Sequence, residues 1–244
     1  MTKRQDRRAF LKELGTVGAT GVAALTPATT AAQGAAPQPP AATTPVPALS
    51  TAAPPGYTFL SLPEAAFVEA AVDRLIPADS LTPGGTECGV AVFIDRQMVG
   101  AWGSGDRLYM QGPWAQGTPM QGYQSPMTPA EFFRVGIAAT NAYCVKTHQK
   151  EFDRLTADQQ IQVLQGLERG TITIERVPAP DFFNVLLNAA MEGFFADPIY
   201  GGNRDKASWK MIGFPGVIAV YSEHIKTYRN RRYDGEPSSI ADLT

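Results

Sequence analysis

Two cysteines and two histidines are all that the 244 residues supply of the side chains that most readily ligate metals or pair as nucleophile and base. His148 and His224 have no second ligand at helical spacing, so a metal site has little to build on and both read as solvated surface. No CxxCH run offers attachment for a c-type haem. The nearest approach to GxGxxG, Gly103-Ser104-Gly105-Asp106, breaks the spacing and follows a helix instead of a strand, which excludes a dinucleotide fold. A GxSxG nucleophile elbow is missing too. No excess of basic charge is present either: the formal net charge is -2 and no basic stripe stands out, so nucleic acid is a poor partner.

What is present begins with a leader. Asp6-Arg7-Arg8-Ala9-Phe10-Leu11-Lys12 resembles a twin-arginine export signal, with Arg7 and Arg8 as its pair. A weakly apolar segment follows over 14–25, well short of the roughly 20 residues that span a bilayer. Small residues around Thr30-Ala31-Ala32 suit a signal peptidase, so residues 1–32 are expected to be removed after export of the folded chain. That removes five basic residues and two acidic ones, and the net charge of -2 becomes -5. Residues 33–56, almost all Ala, Pro, Thr and Gly, have too few large apolar groups to fold and read as a disordered linker. Residues 57–244 are one domain's worth of chain, ample for a core.

That domain is predicted to be all-α, a single compact helical domain. Ser61-Leu62-Pro63-Glu64, Thr128-Pro129-Ala130-Glu131 and Thr156-Ala157-Asp158-Gln159 are three capping boxes. Residues of a single face follow each at helical spacing: Val68, Val72, Leu75 and Ile76; then Phe133, Ile137, Thr140 and Cys144; then Ile161, Leu164 and Leu167. Ala91, Ile94, Met98 and Ala101 mark a further helix closing near Gly103, and residues 217–228 predict a last one. Thr171-Ile172-Thr173-Ile174 is the only strand-like run and has nothing to pair with. Cys88, at the start of one helix, and Cys144, on the apolar face of the next, admit three states: an internal bridge, an intersubunit bridge, or two buried thiols. An oxidising compartment favours the internal bridge.

Residues 103–127 are rich in Gly, Pro, Gln and Met and carry Tyr109, Trp114 and Tyr123. Structureless loops longer than about 12–15 residues usually bind something or fold back on their domain. The aromatic and Met content fits an interface, and the fold-back alternative stands beside it.

The densest aromatic and glycine punctuation lies in residues 181–216. Asp181 reads as an N-cap of a helix apolar around most of its circumference, from Phe182 to Phe195. Its polar residues Asn184, Asn188 and Glu192 recur every fourth position and make one stripe. Asp197-Pro198 stops the helix, Gly201-Gly202-Asn203 permits a tight turn, Asp205 is expected to cap a short helix carrying Trp209, and Gly213-Phe214-Pro215-Gly216 ends it.

EGFFADPIYGGNRDKASWKMIGFPG, residues 192–216, resembles the signature of the small (gamma, or subunit 3) chain of gluconate 2-dehydrogenase. The resemblance implies a subunit that accompanies a flavoprotein dehydrogenase holding FAD and a multihaem cytochrome c subunit holding haem c. It also implies a periplasmic location at the outer face of the inner membrane, reached through the twin-arginine translocase. This chain is then expected to be non-catalytic and to hold no cofactor itself, binding and stabilising the flavoprotein and assisting its export. Tyr109, Trp114, Tyr123, Ile199 and Tyr200 place large side chains on segments that no helix period assigns to the core, and are the expected partner-binding residues. The competing reading is a free-standing periplasmic enzyme or ligand-binding module that uses Glu192, Asp197 and Asp205 as acid/base groups, although no histidine or metal motif accompanies them.

Overall fold

The computed structural model describes residues 56–115, 117–121 and 124–243, all within one compact unit of the chain, Val46–Thr244. Arg7, Arg8, the leader, the linker as far as residue 55 and Tyr123 lie outside the described residues. The architecture is all-α. Its helices are α1 (Leu62–Leu75), α2 (Val90–Val99), α3 (Pro129–His148), α4 (Ala157–Glu168), α5 (Ala179–Phe195), α6 (Ala207–Ile212) and α7 (Ser222–Thr227). Among the described residues there is no strand, and residues 171–174 are irregular, with Ile174 buried.

All three capping boxes form. Ser61, Thr128 and Thr156 each face their N3 residue, Glu64, Glu131 and Gln159, whose side chains reach back to the cap backbone. Because the motif satisfies orphan N–H groups locally, it fixes where α1, α3 and α4 begin without reference to the rest of the fold. Helix α5 is central and packs against α2, α3 and α4. Phe182, Phe183, Leu186, Ala189, Ala190 and Phe194 are buried, and Asn184, Asn188 and Glu192 form its exposed stripe. The Phe182 ring lies 6.3 Å from Phe67 of α1 and 6.0 Å from Phe133 of α3, and Phe67 lies 4.7 Å from Phe152. Helix α3 admits this ring only because residue 136 is glycine: a Cβ there would meet Phe182 Cδ2 at 2.0 Å.

Several local expectations give way to longer-range contacts. Helix α5 starts two residues before Asp181, with Pro178 at the N-cap and Pro180 in the first turn, so Asp181 is an exposed first-turn acid favourable to the helix dipole. Ile161 is 40% exposed, because Val163, Leu164 and Leu167 set the buried face of α4. Ala101 lies beyond α2 and is exposed. The last helix shrinks from 217–228 to Ser222–Thr227, since Val217 donates its N–H to the Ser238 carbonyl at 2.7 Å and Gly216 turns at φ 82°.

The chain enters the domain through a clasp. Asp95, 3% exposed in the middle of α2, accepts the backbone N–H groups of Thr58, Phe59 and Leu60, each at 2.8 Å. Arg134 of α3 donates to the Phe59 carbonyl at 2.8 Å, pairs with Glu64 at 2.8 Å and lies 4.1 Å over the Phe59 ring. The Tyr57 hydroxyl donates to Glu69 at 2.5 Å, and burial followed by the Glu69 carboxylate raises its pKa well above the usual phenol range. Three helices thereby hold one four-residue segment.

Candidate functional site

The signature folds as a knot in which most polar side chains serve the backbone. After α5 ends at Phe195, Asp197 caps the short turn Pro198–Tyr200 by accepting the Ile199 N–H at 3.0 Å. Its second oxygen accepts Ile240 N–H at 2.8 Å, which ties the C-terminal segment to the turn. Asn203, fully buried at φ 45°, donates to the Ala196 carbonyl at 2.9 Å and accepts from the Ser208 N–H at 3.0 Å and hydroxyl at 2.8 Å. Asn203 therefore does the work expected of Asp205, which sits exposed at φ 56° with no capping bond. Asn tolerates the left-handed conformation and offers both a donor and an acceptor, whereas ionised Asp offers acceptors alone. Trp209, 4% exposed, donates its indole N–H to the Phe195 carbonyl at 2.9 Å and meets Phe214 edge-on at 5.2 Å.

Glycine makes the knot possible at two positions. A Cβ on Gly202 would stand 2.0 Å from the Gly193 carbonyl oxygen, and one on Gly89, at φ 80°, would stand 2.4 Å from the Gly201 carbonyl oxygen. Both contacts are backbone against backbone, so the turn sits directly on the start of α2 and the end of α5. The Arg204 N–H donates to the Cys88 carbonyl at 2.9 Å, closing the same junction.

The carboxylates divide accordingly. Asp197 is buried and saturated by two N–H groups, while Glu192 and Asp205 are exposed. No bond joins any two of the three. Among the described residues, no three His, Cys, Asp or Glu side chains converge on a possible metal position. His148 is half-buried at the end of α3, and His224 is half-buried between Tyr228 and Tyr233, with ring centroids 6.0 and 5.8 Å away, so neither is the fully solvated residue its sequence neighbours imply.

Cys88 and Cys144 are separate buried thiols here, the third of the three states that the sequence leaves open. Cys88 lies in the turn before α2, where its Sγ donates to the Pro83 carbonyl at 3.4 Å, and Cys144 faces the core from α3. Burial pushes both thiols up to about 11, with the Glu87 carboxylate adding to the effect at Cys88, and both are correspondingly inert.

The segments expected to meet a partner carry the exposed aromatic surface. Tyr109 is 78% exposed, Tyr200 is 50% exposed, and Trp114 and Ile199 are half-buried. No ring contact among the described residues joins Tyr109 or Trp114 to Tyr200. Trp102 just before the loop, at 41%, and Met120 within it, at 94%, add to the exposed surface. The Ile199 carbonyl accepts from Arg96 of α2 at 3.3 Å, and Arg96, Arg204 and Lys206 line a cleft of about 240 Å³ beside that turn. Sequence reasoning had no means of finding Arg96, since its partner is 103 positions away.

No curated protein and no solved structure matches this chain. A family model described as gluconate 2-dehydrogenase subunit 3 matches residues 63–216, more than half the chain, from the first turn of α1 to the glycine that closes the signature. On that match, the chain belongs to the gluconate 2-dehydrogenase subunit 3 family.

Proposed function

We propose that this chain is the non-catalytic small subunit of a periplasmic, membrane-associated gluconate 2-dehydrogenase-type complex. It binds and stabilises the flavoprotein subunit, which holds FAD, alongside a multihaem cytochrome c subunit, and assists the flavoprotein's export through the twin-arginine translocase. The observation that carries this reading is how the signature and the 103–127 loop spend their side chains. Asp197, Asn203 and Trp209 are consumed by backbone and core contacts, while Tyr109 and Tyr200 remain in solvent on irregular segments. Such a distribution favours a surface that binds over a pocket that reacts.

Co-purification of the mature chain with the flavoprotein tests the reading directly. Truncating an aromatic hot spot typically costs about 2 kcal/mol of binding, roughly a thirtyfold loss of affinity. Trp114→Ala and Tyr200→Ala are each expected to weaken the complex while the isolated chain stays folded; full retention of the flavoprotein by both variants would remove these residues from the interface.

Export is tested separately. Replacing Arg7 and Arg8 together by Lys is expected to leave the chain in the cytoplasm and to lower periplasmic dehydrogenase activity, because the arginine pair carries the resemblance to the export signal. An unchanged periplasmic yield would rule out the twin-arginine route.

A further inference from the structure

The cleft beside the signature turn holds three cations whose circumstances differ. Lys206 is spent: its ammonium donates to the Pro237 carbonyl at 2.7 Å and pairs with Asp242 at 2.6 Å. That ammonium, together with the Ser239 N–H, holds the Asp242 carboxyl below the usual carboxylate range. Arg96 makes one bond, to the Ile199 carbonyl, and has no carboxylate within ion-pairing distance among the described residues. The exposed Arg204 side chain makes neither a hydrogen bond nor an ion pair among the described residues, although its backbone is fixed.

Arg204 also borders a second cavity, of about 710 Å³, on the side of α1. There Arg74 presents an Nε that is buried and has no acceptor, with Glu87 and the Thr86-bound Asp73 nearby in the lining. A buried guanidinium N–H without an acceptor is costly, and an added acceptor would relieve it. Three arginines, from α1, α2 and the signature turn, thus retain donor capacity around adjoining depressions. The smaller depression cannot enclose a nucleotide and is of a size for a side chain. A guanidinium fork is matched to the planar carboxylate, which it binds through two parallel hydrogen bonds.

We infer that Arg96 and Arg204 form a clamp for an acidic side chain of the partner flavoprotein, which enters the cleft next to Ile199 and Tyr200. This inference rests on the proposed partner role and specifies its chemistry. Asp205 and Asp242 also line the cleft; Lys206 offsets Asp242 through their ion pair, and Asp205 acts against the incoming anion, so the clamp needs both arginines to outweigh it.

The test is equilibrium binding of the mature chain to the purified flavoprotein subunit across a series of NaCl concentrations. Because the Arg204 side chain makes no hydrogen bond or ion pair among the described residues, Arg204→Gln is expected to leave the melting temperature almost unchanged, to lower affinity about thirtyfold at low salt and to flatten the salt dependence. Arg204→Lys, which keeps the charge and loses the fork, should retain the salt dependence and recover only part of the affinity. Trp114→Ala should weaken binding equally at every salt concentration. If the wild-type chain binds and Arg204→Gln binds as tightly with the same salt dependence, the clamp is wrong and the partner role survives. If the wild-type chain does not bind the flavoprotein, both fall.

Discussion

Trp209→Ala is expected to lower the stability of the free domain by about 3–5 kcal/mol, and its melting temperature by on the order of 10 °C. The ring is 4% exposed between two glycine turns, it stands edge-on to Phe214, and its indole N–H donates to the Phe195 carbonyl at the end of α5. Removing it leaves a cavity the size of an indole and an unpaired carbonyl where α5 hands over to the signature turn. A domain of this size has roughly 5–15 kcal/mol in hand, so the variant should fold but melt early and lose partner binding only through its instability. Differential scanning calorimetry of Trp209→Ala beside Trp114→Ala separates the two kinds of aromatic. Trp114 is half-buried in an irregular loop, and its loss should shift the transition far less. Equal shifts would make the 103–127 loop part of the core and withdraw it from the interface.

The contrast between these two tryptophans shows how much of the molecule was legible beforehand. Whatever depends on neighbours within four positions could be read: three capping boxes, the buried face of Phe133, Ile137, Thr140 and Cys144, and the polar stripe Asn184, Asn188 and Glu192 that leaves the rest of α5 to be buried. Each follows from helical geometry alone. The signature was legible as a pattern of glycine, proline and aromatic residues, and its tight turns formed. Within it, however, the capping role fell to Asn203 and not Asp205, because the required partners include the Ala196 carbonyl as well as Ser208, and only an amide serves both.

What could not be read depends on distant backbone. The 217–228 helix lost its first turn to Ser238, the choice among three states for Cys88 and Cys144 depended on where two separate elements placed them, and Arg96 and Arg204 became interesting only once the turn was folded against α2. An arginine in a sequence carries no mark of whether a carboxylate will face it. The same limit applies to His224, whose stacking on Tyr228 is a helical i,i+4 contact and was open to prediction, while its approach to Tyr233 requires the chain to turn back at 229–232.

Asp95 is the strongest instance of a residue that sequence pattern passes over and structure makes indispensable. It sits within an apolar helix, VAVFIDRQMV, where an acid reads as a solvent-facing position, yet it is 3% exposed and has no cationic partner within ion-pairing distance among the described residues. A buried carboxylate in that state is tolerable only if its oxygens are saturated, and the N–H groups of Thr58, Phe59 and Leu60 saturate them. Hydrogen bonds to a charged group are worth about 1.5–3 kcal/mol each, and the exposed position of Thr58 lets water replace part of the loss there. Asp95→Ala is therefore expected to destabilise the domain by about 3 kcal/mol and to release residues 57–60 from α2, leaving Arg134 and Glu69 to hold them alone. Asp95→Asn should be intermediate, since the amide keeps one acceptor and turns a donor toward N–H groups. Limited proteolysis distinguishes local release from global loss: cleavage at the Tyr57–Phe59 segment should appear in Asp95→Ala under conditions where the remainder of the domain resists. If that segment stays protected in Asp95→Ala, the Arg134 and Glu69 contacts suffice and the carboxylate is not the clasp.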